Sequence, residues 1–178
     1  CGRLAPAAAA AAATTRNGRI GVIATAASSR SGAYERELSA LDPALEIFPA
    51  PCPLFVPLVE NGRFRPGDKV AELVAREYLE PLRTKDVDTL VLGCTHYPLL
   101  TDVIAGVMGP GVTLVDSGAS CADHAAARLA HAGLLNENST GSCRYFVSDS
   151  THDFANLASL FLGEPVSDGV ERVEIETY

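Results

Sequence analysis

Thr89-Leu-Val-Leu-Gly-Cys-Thr-His-Tyr-Pro-Leu-Leu100 is the stretch that decides the fold. Leu90, Val91 and Leu92 form a short apolar run ended by Gly93, which reads as a buried strand. Pro98 and the apolar residues after it read as the start of a helix. Cys94, Thr95 and His96 are therefore predicted on a strand-to-helix turn. In a parallel α/β sheet such a turn lies at the carboxyl end of a strand, where these folds place their ligands. The free amides of a helix N-terminus favour an anion there, whether a carboxylate or a thiolate.

Outward from this turn the same pattern recurs. Towards the N-terminus, Ala5 to Ala13 reads as a helix, with Pro6 early and Asn17-Gly18 as a stop. Ile20 to Ala24 is a predicted strand, Thr25 to Ser31 a polar loop and Ala33 to Leu41 a helix. Leu45 to Phe48 is a strand. Pro49, Pro51 and Pro53 predict an extended loop after it, outside any ladder. Asp68 caps a helix running to about Leu82, with Val70, Leu73, Val74, Tyr78 and Leu82 as its apolar stripe. Beyond the central turn come a helix to Met108, a strand over Val112 to Val115, the polar turn Asp116-Ser117-Gly118 and an Ala-rich helix over Ala122 to Ala132. Leu134 to Ser142 reads as a polar loop, followed by a strand (Arg144 to Val147), a helix (Asp153 to Leu162) and a strand (Val170 to Ile175). This alternation predicts an α/β protein with a parallel sheet.

Composition excludes several classes. The 178 residues carry a net charge of -8, which argues against general binding to nucleic acid or to an anionic membrane. No run is long and apolar enough to span a bilayer. The five cysteines, at 1, 52, 94, 121 and 143, form neither a zinc-type pair nor a disulfide framework, and read as reduced thiols of a cytosolic protein. His124 and His131, seven apart, have no ligand pattern around them and read as helix-surface residues.

The residues alone leave the role of Cys94 open. It reads as a buried structural cysteine, as the nucleophile of a hydrolase, or as a thiol acid/base. The hydrolase needs a nucleophile, a base and an oxyanion hole. Residues two apart on a tight turn, such as Cys94 and His96, are a poor fit to the first two. Thr25 and Ser28 read as turn and capping hydroxyls. Glu60, before Asn61-Gly62, reads as a solvated carboxylate, Cys52 as a small buried residue and Asp116 as a cap.

Gly93-Cys94-Thr95-His96-Tyr97-Pro98-Leu99-Leu100 resembles the second cysteine motif of the glutamate racemases. Arg19 to Thr25, Ser31-Gly-Ala-Tyr34, Cys52 to Glu60 and Val115-Asp-Ser-Gly118 match the same family in the same order. The resemblance implies two similar α/β lobes, one nearly complete over residues 17–117 and one partial over 1–16 and 118–178. It implies cofactor-independent interconversion of L- and D-glutamate, supplying D-glutamate for peptidoglycan in the cytoplasm, with no metal. Cys94 would be one of two opposed thiol acid/bases and His96 its catalytic partner. Thr95, His96, Thr25, Ser28 and Glu60 would lie against the substrate. Glutamate is then the small-molecule partner, and a homodimer the assembly considered.

One departure accompanies the match. The family's earlier segment, with its Asp-Ser and Tyr-Gly pairs and a Cys-Asn-Thr motif, has no counterpart here. Cys1 precedes Gly2, so the first catalytic role is not carried onto it. The chain reads as the C-terminal two-thirds of a racemase, with weak or no racemisation expected from it alone. A racemase-like fragment that only binds, and an aspartate-type racemase, are the alternatives.

Overall fold

The computed structural model describes residues 2–136, 141–166 and 169–175. Cys1 and part of the predicted loop from Leu134 to Ser142 lie outside the described residues. The chain divides into two compact units, Cys1–Leu134 and Leu135–Tyr178.

The first unit runs α1 (Leu4–Thr14), β1 (Arg19–Ala24), α2 (Ala26–Arg30), α3 (Ala33–Leu41), β2 (Glu46–Pro51), α4 (Phe55–Glu60), α5 (Lys69–Arg83) and β3 (Thr89–Leu92). A 3₁₀ turn (Tyr97–Leu100), α6 (Thr101–Met108), β4 (Thr113–Asp116) and α7 (Ser117–His131) follow. The sheet order is β2-β1-β3-β4, and every pair is parallel. β3 is buried along its whole length and β1 everywhere except Arg19, as expected of central strands covered on both faces. Helix α1 packs on α3 and α7, while α5 packs on α6. Ala7, Ala8 and Ala11 of α1 are fully buried in one cluster with Ile20, Val22, Tyr34, Leu38, Val91 and Val115. The Ala run therefore serves as a thin, close-packing face against the sheet.

The chain leaves β1 for β2 on one side, then crosses back over β1 to β3 on the other. Right-handed crossovers put those two connections on opposite faces of the sheet. The strand order thus reverses between β1 and β3, and a crevice opens beyond their carboxyl ends. Thr25 follows β1 and Cys94 follows β3, so both flank that crevice.

Several local features differ from the expectations, among them α7, which starts at Ser117 rather than Ala122, and the final strand, which ends at Arg172 rather than Ile175. Pro49 and Pro51 lie inside β2 and pair in register with Val22 and Ala24. The N–H groups of Glu46 and Cys52 donate to Gly18 and Ala24 of the β1 side. Alternation then turns residues 47, 49 and 51 outward, so the two prolines lack only donors that face away from the ladder. Residues 26–30 form the short helix α2 rather than a loop, because the Thr25 hydroxyl accepts from the Ser28 N–H (3.3 Å) and caps its start. On α5 the buried stripe is Ala71, Ala75, Leu79 and Leu82, while Val70 and Leu73 face solvent. Two alanines lead that stripe, and the larger apolar residues beside them obscured this in the sequence.

The second unit contains β5 (Tyr145–Val147), α8 (Thr151–Leu162) and β6 (Val170–Arg172), a parallel pair joined through a helix. The Ser150 hydroxyl accepts from the Asp153 N–H (3.2 Å) at the start of α8, and Gly163 ends it at φ 71°. Both units are α/β.

Candidate functional site

The turn after β3 is set by Gly93. A Cβ at this position would lie 2.7 Å from the Ile23 carbonyl oxygen and 2.9 Å from Tyr34 Cε2. Only glycine lets β3 leave the sheet so close to β1 and α3. Past it, Cys94, Thr95 and His96 project from the turn. His96 Nδ1 lies 3.9 Å from Cys94 Sγ and 3.4 Å from Thr95 Oγ1. On the other side of the ring, His96 Nε2 lies 3.1 Å from Glu60 Oε1, at the end of α4. One imidazole therefore sits between a thiol and a carboxylate, although the three residues come from two distant parts of the chain.

This arrangement has a chemical sense. A carboxylate on Nε2 favours the tautomer protonated there, which leaves the Nδ1 lone pair to take the thiol proton. The imidazolium so formed faces Glu60. The His96 side chain is 19% exposed and that of Glu60 is 46% exposed, so the pair is partly screened and contributes little to stability.

At the β1 turn, the Thr25 hydroxyl donates to Ser28 Oγ (3.1 Å), and the Ser31 hydroxyl donates to the Ser28 carbonyl (2.7 Å). Ser28 and Gly93 line one cavity of about 260 Å³, with Arg3, Ser31 and Tyr34 on its walls. The β1 turn and the Cys94 turn thus share a wall across the crevice. Burial pushes the Tyr34 phenol above its ordinary value. Arg3 was not singled out from the sequence, and Tyr34 entered only within the Ser31-Gly-Ala-Tyr34 match, because neither spacing nor composition brings α1 and α3 to the β3 turn. A larger cavity of about 420 Å³ involves Arg16, Asp88 and Gly111 at the opposite, amino ends of the strands, away from these groups.

Cys52 is fully buried, and burial pushes its thiol up to about 12. Asp116 caps α7 by accepting from the N–H groups of Gly118 and Ala119. His124 and His131 are exposed on α7. Among the described residues, no group of three or more His, Cys, Asp or Glu side chains is placed to hold a metal ion. Among them also, no helix is long and apolar enough to cross a membrane.

A thiol, an imidazole and a carboxylate thus lie at the switch-point crevice, where parallel α/β sheets place their ligands. The family model for Asp/Glu/hydantoin racemases matches residues 3–125, and the chain belongs to that family. Among curated relatives, the glutamate racemase of Desulforudis audaxviator is 46% identical over 179 residues, covering 94% of this chain and 64% of the relative. That of Geobacter metallireducens is 46% identical over 176 residues, covering 98% of this chain and 64% of the relative. The chain thus spans a little under two thirds of the length of these relatives. Among solved structures, glutamate racemase isoform RacE1 of Bacillus anthracis aligns at a TM-score of 0.89 with 36% identity, over 98% of this chain and 64% of that one. The Francisella tularensis glutamate racemase in complex with D-glutamate aligns at a TM-score of 0.88 with 30% identity, over 99% of this chain and 64% of that one.

Proposed function

We propose that this chain carries one half of the machinery for cofactor-independent racemisation of glutamate. The carrying observation is the Cys94–His96–Glu60 constellation at the β1/β3 crevice. The α-hydrogen of an amino acid is a weak acid, and its removal needs a well-placed base together with stabilisation of the charge left behind. Cys94, having given its proton to His96, takes the α-hydrogen as a thiolate. Thr95 offers a hydroxyl and a backbone amide to the substrate carboxylate, and Thr25 and Ser28 face it across the crevice. The carbanion is then planar, and a proton delivered from its other face gives the opposite enantiomer.

Inversion therefore needs a second acid/base group opposed to Cys94. Among the described residues this reading assigns one such group, Cys94, and it expects weak turnover from the 178 residues by themselves. The lobe assignment, residues 17–117 against 1–16 with 118–178, describes the longer racemase architecture in this reading. Supply of D-glutamate for peptidoglycan, a cytoplasmic location and a homodimer follow from the same family likeness.

The test is proton exchange in heavy water with L- and D-glutamate, followed by NMR and optical rotation. Weak exchange at the α-carbon that Cys94→Ser abolishes is the expected result. Exchange unaffected by Cys94→Ser overturns the role of the thiol. Full inversion by the chain alone overturns the one-group account. A second reading, a racemase-like module that binds without catalysis, is favoured by the assignment of one acid/base group, Cys94, among the described residues. It predicts calorimetric binding of glutamate with no exchange of either enantiomer. Equal handling of aspartate would point to an aspartate-type racemase instead.

A further inference from the structure

Tyr97 follows His96 directly, yet its side chain runs the opposite way, into the core. It is fully buried, and its hydroxyl donates to the Cys52 carbonyl oxygen at 2.9 Å. That same carbonyl accepts the N–H of Phe55, the first residue of α4 (3.3 Å). The Tyr97 ring meets Phe55 edge-on, with centroids 5.2 Å apart and planes at 89°. Phe55 in turn meets Tyr78 of α5 edge-on at 5.5 Å. Helix α4 is only six residues long and ends on Glu60. So short a helix has little stability of its own and takes its position from what it packs on. One end of α4 is thus fixed to Tyr97, and the other presents Glu60 to His96, the neighbouring residue on the same turn.

From this two-point attachment we infer that Tyr97 is a positioning residue, which sets α4 so that the Glu60 carboxylate meets His96 Nε2. Among the groups placed against His96 are Glu60 from α4 and Cys94 and Thr95 from its own turn. Removing the Tyr97 hydroxyl leaves the ring in place but frees the start of α4 to shift. The contact at its far end then loosens, with no change at Glu60 or His96 themselves. This inference rests on the same site as the proposed reaction but not on turnover.

The test reads the nitrogen signal of His96 Nε2 by NMR at one fixed pH, in isotopically labelled chain. His96→Gln assigns it among the four histidines. Glu60→Gln displaces the signal by removing the partner. Tyr97→Phe is expected to displace it in the same direction, by about half that amount or more, and the double variant no further than Glu60→Gln alone, the mark of coupled residues. A folded Tyr97→Phe chain whose Nε2 signal is unmoved overturns the inference and leaves Tyr97 a purely structural residue. Phe55→Leu keeps the hydroxyl but removes the ring contact from the helix side. It must displace the signal likewise, and its failure to do so overturns the inference even where Tyr97→Phe does not fold. Absence of α-proton exchange would sink the proposed reaction and leave this readout intact.

Discussion

Glu60 Oε1 lies 3.1 Å from His96 Nε2, across 36 residues of sequence. The pairing matters because the opposite ring nitrogen faces the thiol of Cys94. Glu60→Gln keeps the shape but removes the carboxylate that meets the Nε2 side of the ring. Alkylation of Cys94 by iodoacetamide at neutral pH should then slow by roughly three- to tenfold, as it should in His96→Gln, because the thiolate is the reacting species. Peptide mass spectrometry of a time course measures it. An unchanged rate in both variants would mean that the imidazole does not serve the thiol.

Gly93→Ala should damage both fold and site. The added methyl would meet the Ile23 carbonyl at 2.7 Å, Tyr34 Cε2 at 2.9 Å and Ala24 Cβ at 3.3 Å. The first of these is backbone of a central strand and has nowhere to go. Overpacking of this kind costs about 2 kcal/mol. Urea unfolding would show the loss, and Cys94 alkylation would report the disturbed turn. A variant with unchanged stability would contradict the close approach.

Cys52 should be silent in the folded chain. Its thiol, pushed up to about 12 by burial, stays protonated at pH 8 and is out of reach of solvent. Iodoacetamide should label Cys94, Cys121 and Cys143, and reach Cys52 only after denaturation. Labelling of Cys52 at the rate of Cys143 would refute its burial.

Asp88 pins the entry to β1 against the start of β3. Its carboxylate accepts from Thr15 Oγ1 (2.7 Å), the N–H groups of Arg16 (2.6 Å) and Asn17 (2.9 Å), and Thr89 Oγ1 (2.9 Å). Burial alone would raise its pKa, but these donors together outweigh burial and hold the carboxyl below its ordinary range. A carboxyl lowered in the folded state contributes stability that is full above its unfolded value, about 3.9, and lost as pH falls through the folded value. Asp88→Asn should cost about 1 kcal/mol at neutral pH, since it leaves partly buried donors badly partnered. It should also flatten the loss of stability below pH ~4. Denaturant midpoints across pH would show both effects, and parallel curves for the two proteins would rule this role out.

The central turn was legible because one apolar run, one glycine and one proline fix strand, exit and helix start between Leu90 and Pro98. The capping role of Asp68 was equally plain, and its side chain accepts from the N–H groups of Val70 and Ala71. Less legible were features set by neighbours. The placement of Pro49 and Pro51 depends on which side of β2 has a partner, and a sequence window cannot contain that. Ala71 and Ala75 are fully buried, whereas hydrophobicity alone favoured Val70 and Leu73, which face solvent. The Glu60–His96 contact is a tertiary fact. Local residues suggested only a solvated carboxylate, and the family likeness alone pointed to Glu60. Tyr97 drew no attention as an individual residue, because nothing local shows that its hydroxyl ends on the carbonyl of Cys52.

The outward parity of Pro49 and Pro51 has a consequence for how the protein behaves in a crowd. An unpaired sheet edge is a template on which another extended chain can dock. Of residues 47, 49 and 51, which turn away from β1, only Ile47 keeps an N–H to offer. An incoming strand would find acceptors there but almost no donors, and could not zip along the edge. The β2 border of the sheet therefore resists filament growth by its own covalent chemistry, without spending a charged side chain or a covering loop on the task.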